Sequence, residues 1–241
     1  MKTLNFFAIT LIIFSCISCN AQNKTKQEIE TTYTYKNADK DGIGKFYFGR
    51  EIAHVMDASG SAWLERSDRQ KEEHVEQAID SFGLKPNSVV ADIGAGSGYY
   101  TFRIAPKIPQ GKIYAVEVQD AMISQLNFKK EQVKATNVVV LKGNDTSTNL
   151  PANSIDLAIM VDVYHELEYP HEILQNLYKA LKSNGKLLLL EYRAEDPAIP
   201  IKALHKLSVD QANKELKANG FTLYQRKEFL PIQHYLLYSK I

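Results

Sequence analysis

The sequence predicts an α/β protein whose doubly wound mixed sheet has seven strands. Apolar runs typical of strands alternate with helical segments from Ser88 onward. The first of these strands ends in a glycine-rich turn, where a doubly wound sheet places its ligand. The last two apolar runs are separated by too few residues for a crossover helix, which predicts a terminal antiparallel hairpin.

Five predicted strands precede this hairpin. They are, in chain order, "SVVADI", "KIYAVEV", "NVVVLKG", "IDLAIMV" and "KLLLLEY". The helices between them are predicted for "YYTFRIAPKI", for "DAMISQLNFKKEQV" and for a segment that Pro170 opens and Asn184-Gly185 closes. A last helix begins at Ser208 with Gln211 and ends at Asn219-Gly220, before the hairpin strands "FTLYQRKEF" and "HYLLYSKI".

Residues 44–83 are predicted to form a helical and aromatic cap on a Rossmann-like core over residues 84–241. The segment "GKFYFGREIAHVMDASGSAWLER" holds four aromatic residues, including Trp63, among glycines, a composition that indicates packing against another surface. A capping box of Ser67 with Gln70 then begins an amphipathic helix, which ends near Gly83.

The charges of the chain are nearly balanced, with 29 Lys and Arg against 28 Asp and Glu and a net charge of +1. This balance gives no field that would recruit nucleic acid or acidic lipid, so no nucleic-acid partner is expected. The six histidines show neither an HExxH pattern nor pairing with closely spaced cysteines, so no metal site is expected.

The first 19 residues have the pattern of a lipoprotein-type signal peptide. Lys2 precedes an apolar stretch over residues 4–14, which is shorter than the roughly 20 residues that a spanning helix needs. Small residues then precede a cysteine, which resembles the lipobox of bacterial lipoproteins. We expect lipidation of Cys19, with Cys16 or ordinary cleavage near Ala21 as alternatives, and a polar linker over residues 20–43. This pattern predicts an exported protein, anchored on the periplasmic side of a bacterial membrane.

The turn after the first predicted strand has the spacing D-x-G-x-G-x-G, in which Asp92 precedes Gly94, Gly96 and Gly98. A phosphate-binding loop would need a lysine after these glycines, and a dinucleotide fingerprint would need a glycine in place of Tyr99. Two interpretations remain. The glycines let a ligand without phosphate groups lie against bare backbone, or they only form a tight strand-to-helix turn.

The second predicted strand ends in Glu117, about 25 residues after Asp92, where a doubly wound fold places an acid against a ribose diol. The third strand ends in "GND" and the fourth runs into "VDVYHE". These four features together resemble the class I S-adenosylmethionine-dependent methyltransferases. The resemblance implies S-adenosylmethionine as cofactor and methyl transfer to a small-molecule acceptor.

The resemblance also implies which residues form the site. Those implied to bind the cofactor are Asp92, Gly94, Gly96, Gly98, Glu117, Asn144 and Asp145, and those implied at the methyl-transfer end are Asp162, Tyr164 and His165. His165 is the candidate general base, because a near-neutral imidazole can accept a proton from an oxygen or nitrogen nucleophile. A histidine held beneath the following helix for structural reasons is the alternative.

Four further segments narrow the resemblance. "GREIAHVMDASGSAWLER", "VDVYHE", "EYRAEDPAIPIKALHK" and "PIQHY" are similar to an exported branch of bacterial methyltransferase-domain proteins. The alternative function is a regulatory domain that binds the nucleoside without turnover.

Overall fold

The computed structural model of the protein describes residues 33–241. Its strands are, in chain order, β1 (Tyr33–Tyr35), β2 (Gly42–Tyr47), β3 (Arg50–Ala53), β4 (Val89–Ile93), β5 (Lys112–Glu117), β6 (Val138–Lys142), β7 (Ile155–Val161), β8 (Leu181–Tyr192), β9 (Phe221–Lys227) and β10 (Gln233–Lys240). Its α-helices are α1 (Ser61–Leu64), α2 (Arg69–Glu73), α3 (Val75–Asp80), α4 (Thr101–Ile104), α5 (Asp120–Gln132), α6 (Pro170–Ala180) and α7 (Val209–Ala218). The predicted signal peptide, the lipidation of Cys19 and most of the predicted linker lie outside the described residues.

Seven of these strands form the central sheet, in the order β6-β5-β4-β7-β8-β10-β9. The pairs from β6 to β8 are parallel, whereas β10 is antiparallel to both β8 and β9. The chain moves outward from β4 through β5 to β6, and then returns to place β7 on the other side of β4. The carboxyl end of β4 is therefore the switch point of the sheet, where α/β proteins bind ligands. The predicted fold class is confirmed.

Helices cover both faces of this sheet, which explains why its strands are continuous apolar runs. Side chains that alternate along a strand contribute to two separate hydrophobic clusters, one on each face. Ala91 and Leu189 belong to one cluster, and Val90 and Leu188 belong to the other. Among residues 33–241, no helix combines the length and the apolar character needed to cross a membrane.

The amino-terminal part differs from the prediction, because residues 33–53 form a three-stranded sheet where we expected linker and a helical cap. Residues 34–241 form one unit, so the folded part begins before the predicted boundary at residue 44. The turn between β2 and β3 places Phe48 at φ +50° and Gly49 at φ +95°. Hairpin turns of this kind are usually signalled by Asn-Gly or Asp-Gly, and Phe-Gly is a much weaker signal.

The helix predicted to begin at Ser67 is divided into α2 and α3 by His74, which has a φ of +50°. Asp68 rather than Ser67 precedes α2, and its side chain makes no capping hydrogen bond. The break directs the carboxylate of Glu73 into the protein, where it pairs with Arg66 at 2.7 Å and Arg69 at 2.9 Å. The left-handed backbone of His74 is where the structure departs from the predicted continuous helix.

Helix α6 ends at Ala180, before the predicted stop at Asn184-Gly185. Leu181 has extended backbone, is buried and pairs with Ile155 of β7. Sheet pairing and core burial of Leu181 therefore end the helix earlier than the local stop signal. The capping prediction for the last helix is correct, because the Ser208 side chain accepts a hydrogen bond from the Gln211 N–H.

A buried ion pair connects the amino-terminal sheet to the core. Arg50 of β3 donates two hydrogen bonds to the carboxylate of Glu215 on α7, from Nε at 2.8 Å and from Nη2 at 2.9 Å. The Tyr164 hydroxyl donates to the same carboxylate at 2.8 Å. The Glu215 side chain has no exposed surface, so its charge depends on these partners.

Replacement of this carboxylate tests the connection. Glu215→Ala leaves the Arg50 guanidinium buried without its partner, and we expect it to lower the free energy of unfolding by roughly 3–5 kcal/mol. The control is Asp80→Asn, which removes an exposed pair with Lys107 and should change stability by less than about 1 kcal/mol. Chemical denaturation measures the stability of both variants. Losses of stability of similar size would contradict the role of Glu215 in connecting the amino-terminal sheet to the core.

Candidate functional site

A cavity of about 560 Å³ opens beyond the carboxyl ends of β4, β5 and β7. The amino-terminal segment, including Met56, Trp63 and Leu64, contributes one wall. Of the ten residues predicted for the site, eight line this cavity: Asp92, Gly94, Gly96, Glu117, Asn144, Asp145, Asp162 and His165.

The first two glycines of the turn after β4 lie in the cavity wall with left-handed backbone, at φ +67° for Gly94 and +54° for Gly96. A Cβ on Gly94 would come within 2.7 Å of Val163, and a Cβ on Gly96 within 2.9 Å of Leu64. Backbone conformation therefore favours glycine at both positions, and at Gly94 the branched side chain of Val163 also leaves no room for a Cβ.

Gly98 has a different role from the one predicted. It is absent from the described cavity wall, and a Cβ at this position would meet Phe102 at 2.5 Å and Leu126 at 2.7 Å. Close packing beneath the turn therefore explains this glycine, and the prediction that it binds a cofactor is corrected.

Glu117 is buried at the end of β5 and holds the glycine turn in place. Its Oε2 accepts a hydrogen bond from Gly96 N at 2.9 Å, while Oε1 accepts from Val118 N at 2.7 Å and Gln119 N at 3.0 Å. A carboxylate has about four lone-pair sites, so three occupied sites leave one for a ligand in the cavity.

Asp92 is buried at the end of β4 and accepts a hydrogen bond from the Thr101 hydroxyl at 2.6 Å. Burial raises the pKa of its carboxyl to about 6, against the opposing effects of Thr101 and of the nearby Arg69. Asp92 is therefore an acid with an unusual titration range inside the site, which is typical of functional positions.

Asn144 and Asp145 line the cavity from the loop after β6, and both side chains are exposed. The Asn144 side-chain oxygen accepts hydrogen bonds from Thr146 N at 3.0 Å and from the Thr146 hydroxyl at 3.1 Å. This arrangement fixes the loop and leaves the Asn144 amide N–H groups to donate to a ligand.

Asp162 follows β7 with left-handed backbone at φ +55°, which is uncommon for an aspartate. Its Oδ2 accepts a hydrogen bond from Gln233 Nε2 at 2.7 Å. Burial, together with the nearby Glu73 and Glu191, raises the pKa of Asp162 well above its usual range. The environment therefore favours the neutral form of this carboxyl, and its Oδ1 is buried without a hydrogen-bond partner among the described residues.

Tyr164 does not belong to the described cavity wall. Its side chain is fully buried, and its hydroxyl donates to Glu215 on the far side of the 3₁₀ turn Tyr164–Glu166. The predicted role of Tyr164 at the methyl-transfer end is corrected to a structural one.

His165 lines the cavity, but both of its nitrogens have partners. Nδ1 lies 2.6 Å from Glu191 Oε2, and Nε2 lies 3.2 Å from His205 Nδ1. Burial acts to lower the pKa of His165, but Glu191 and Glu166 outweigh it and raise the pKa to about 10. The expected near-neutral general base is therefore not what this arrangement provides, because the imidazole is held in its charged form.

Glu166 and His205 complete a cluster with His165 at the cavity. Glu166 Oε1 lies 3.1 Å from His205 Nδ1 and 3.7 Å from His165 Nε2. Burial acts to raise the pKa of Glu166, but contacts with the two histidines lower it to about 2. We did not predict this cluster, because His205 is 40 residues from His165 in the chain and no short motif joins them. The only sequence signal was the pair of segments "VDVYHE" and "KALHK".

The cavity wall presents polar atoms that are available to a ligand. Ser97 Oγ, Tyr100 Oη and Asp162 Oδ1 are buried without a hydrogen-bond partner among the described residues, and all three residues line it. S-adenosylmethionine presents an ammonium, a carboxylate, a ribose diol and an adenine, which match such donors and acceptors. Together with the bare backbone at Gly94 and Gly96, these atoms fit that cofactor.

Comparisons with known proteins agree with this chemistry. Residues 91–187 match the profile of the family described as "Methyltransferase domain". An uncharacterised methyltransferase-like protein of Schizosaccharomyces pombe is 28% identical over 63% of this chain and 56% of its own length. The phosphoethanolamine N-methyltransferase of Plasmodium falciparum is 27% identical over 66% of this chain and 57% of its own length.

A solved structure described as a SAM-dependent methyltransferase from Aquifex aeolicus matches with a TM-score of 0.73 and 24% identity, and the match covers 78% of this chain and 100% of that one. The chain spans about half the length of the curated relatives it matches. The predicted class I methyltransferase fold is confirmed, and residues 91–187 match the methyltransferase domain that the resemblance implied.

The raised pKa of Asp92 gives a pH-dependent prediction. Below about pH 4 the carboxyl is protonated in both folded and unfolded chains, whereas above about pH 6 the folded protein must hold a buried charge. Asp92→Asn removes this charge, so we expect it to raise the free energy of unfolding near pH 7 by on the order of 1–3 kcal/mol.

Thermal unfolding near pH 4 and near pH 7 checks this, with the exposed Asp80→Asn as the control for loss of one negative charge. The increase in the free energy of unfolding caused by Asp92→Asn should vanish near pH 4, because the increase comes from removing the ionised carboxylate of the folded protein. An equal gain at both would contradict ionisation of Asp92 as the cause.

Proposed function

We propose that this protein is an S-adenosylmethionine-dependent methyltransferase that acts on a small-molecule acceptor. The observation that carries the proposal is the turn after β4. There, Gly94 and Gly96 leave bare backbone in the cavity wall, and the buried carboxylate of Glu117 fixes the turn with a hydrogen bond. Such a site suits a nucleoside with an amino-acid side arm better than it suits a phosphate.

In this proposal, different residues around the turn bind different parts of the cofactor. Glu117 accepts a hydrogen bond from the ribose diol with its remaining lone pair, and Asn144 and Asp145 lie toward the adenine. Asp92, Ser97 and Asp162 bind the ammonium and carboxylate of the methionyl arm. The assignment of the methionyl arm is supported by Ser97 Oγ and Asp162 Oδ1, which are buried and have no hydrogen-bond partner within residues 33–241.

The acceptor binds, in this proposal, against the cluster of His165, Glu166 and His205. Val163 lies against Gly94, so the segment that carries His165 and Glu166 borders the cofactor turn. S-adenosylmethionine supplies a methyl group on a sulfonium, and the protein contributes chiefly by holding the acceptor atom in line with it. The polar cluster orients that atom.

A catalytic role has more support than a binding module without turnover. A module that only held the nucleoside would not need a second, strongly polar cluster in the same cavity. The name of the Plasmodium falciparum relative gives that protein a small amine as its acceptor. The volume of about 560 Å³ is consistent with a cofactor and a small acceptor together.

We also propose that the protein is exported and lipid-anchored through Cys19. The support is the short apolar leader, the small residues before the cysteine and the polar segment that follows it. These residues lie outside the part of the chain that the structure describes, so the proposal rests on the sequence pattern.

The cofactor site is tested by calorimetry of the full chain with S-adenosylhomocysteine. We expect binding to the unmodified protein and a loss of roughly 1.5–3 kcal/mol in Glu117→Ala, the typical contribution of a hydrogen bond to a charged group. A screen for transfer of labelled methyl groups to small acceptors then tests turnover. The absence of any binding would refute the proposed function.

Because Glu117 also holds three backbone N–H groups, its removal should lower stability as well as affinity. The matched control is Asp156→Ala. Asp156 accepts a hydrogen bond from Val89 N at 2.8 Å, at the opposite end of β4 from the cavity. This change should lower stability and leave the affinity of the folded protein unchanged. Equal losses of affinity in both variants would show that Glu117 acts only through the fold.

The anchor is tested by mass spectrometry of the membrane-associated protein, which should carry a diacylated or triacylated cysteine at Cys19. Cys19→Ser should abolish the modification, whereas Cys16→Ser should leave it in place. A soluble product that begins at Ala21 or later would contradict the lipid anchor while remaining consistent with export.

A further inference from the structure

Three potential metal ligands converge at the acceptor side of the cavity. His165 Nε2, Glu166 Oε1 and His205 Nδ1 all lie within 4.8 Å of one another. Their separations are 3.1 Å, 3.2 Å and 3.7 Å. Three ligands of a tetrahedral Zn²⁺ ion at about 2.0–2.2 Å from the metal are themselves about 3.4 Å apart. The cluster therefore already has the dimensions of a three-ligand metal site.

The three donor atoms are held in place from behind, as metal ligands usually are. His165 donates from Nδ1 to Glu191, which orients Nε2 toward the other two ligands, and a bound metal ion takes the place of the proton that the charged imidazole carries on Nε2. Glu191 is in turn fixed by hydrogen bonds from Val163 N at 3.2 Å and Tyr164 N at 2.7 Å. Glu166 uses its other oxygen, Oε2, to accept a hydrogen bond from Met56 N at 3.1 Å.

The fourth side of the cluster faces the cavity. All three ligand residues line it, and their side chains are mostly buried, with exposed fractions of 2% for His165, 13% for Glu166 and 20% for His205. Catalytic zinc sites have this form, with three protein ligands of the His₂Glu type and an open position for water or substrate. Imidazole nitrogens with one carboxylate suit first-row transition metals better than Mg²⁺ or Ca²⁺.

We propose that His165, Glu166 and His205 bind a divalent first-row transition-metal ion, with Zn²⁺ as the reference ion, whose open position takes the methyl acceptor. This inference rests on the proposed function and narrows it to acceptors with a hydroxyl or thiol group. The acceptor coordinates through its oxygen or sulfur and releases its proton to solvent. Its lone pair then forms the bond to the methyl carbon, while the carbon–sulfur bond of the sulfonium breaks and leaves its electron pair on sulfur.

Elemental analysis after dialysis against Zn²⁺ tests the site. It measures the metal content of the purified full chain and of three variants. We expect one Zn²⁺ per chain in the unmodified protein. His205→Ala and Glu166→Gln should lower Zn²⁺ affinity by at least 10- to 100-fold. That is the typical effect of removing only a hydrogen-bond partner of a metal ligand. The control is His234→Gln, which removes a buried histidine that contacts Glu195 away from the cavity and should keep the ion.

A second measurement addresses the open position. Co²⁺ in place of Zn²⁺ should give the visible absorption bands of a tetrahedral site, and addition of 2-mercaptoethanol as a probe thiol should shift them. Both signals should be lost in His205→Ala, a change on a partly exposed 3₁₀ turn that is not expected to unfold the protein. No shift with the thiol would overturn the assignment of the acceptor to the metal.

Calorimetry with S-adenosylhomocysteine on the same preparations separates this inference from the proposed function. Substoichiometric Zn²⁺ in the unmodified protein, equal Zn²⁺ affinity in His205→Ala, or a preference for Mg²⁺ would each overturn the metal site. Cofactor binding that persists in such a case leaves the methyltransferase proposal intact. Loss of cofactor binding in the unmodified protein would instead refute that proposal, whatever the metal content.

Discussion

Burial of carboxyl groups at the carboxyl ends of adjacent strands is the constraint on which the site depends. Asp92, Glu117, Asp162 and Glu191 stand at or directly after the ends of β4, β5, β7 and β8. A buried carboxylate raises the free energy of the folded state unless it is hydrogen-bonded or protonated. Such groups are therefore found next to hydrogen-bond donors. Glu117 accepts a hydrogen bond from the backbone of the glycine turn, and Glu191 accepts one from the segment that begins at Val163. The loops that form the cavity are thereby positioned by the acids beneath them.

Much of this architecture could be predicted from the sequence, because the strands of a sheet covered on both faces are continuous apolar runs. The ends of those runs located Asp92, Glu117 and Asp162 along the chain, and topology placed them at a common edge of the sheet. Gly94 and Gly96 could be predicted for the same reason, since glycines directly after a strand indicate either a close approach to the backbone or a tight turn. Gly98 could not be distinguished from them, because its neighbours Phe102 and Leu126 become adjacent only in the folded protein.

The rest depends on contacts between distant parts of the chain. His165 and His205 meet across 40 residues, and no local pattern encodes their separation. Next to the break of the amino-terminal helix at His74, Glu73 accepts a hydrogen bond from Tyr192, 119 residues away, a contact that no local pattern encodes. The resemblance of "VDVYHE" implied a role for Tyr164 at the methyl-transfer end, but its hydroxyl donates a hydrogen bond to Glu215 instead. In each case the decisive contact joins residues that are far apart in the sequence.

The same charges connect stability to ligand binding. The protein holds a carboxyl at Asp92 whose ionisation opposes folding, a left-handed aspartate at Asp162 and buried polar atoms without partners, all at one cavity. The unpartnered atoms and the buried carboxyl are unfavourable in the folded chain alone, and a polar ligand that supplies hydrogen-bond partners relieves them. A ligand that binds only the folded state stabilises it in proportion to the logarithm of its concentration relative to its dissociation constant. Ligand binding at this site is therefore expected to stabilise the fold, because the acids that position the loops are also the groups that a ligand contacts.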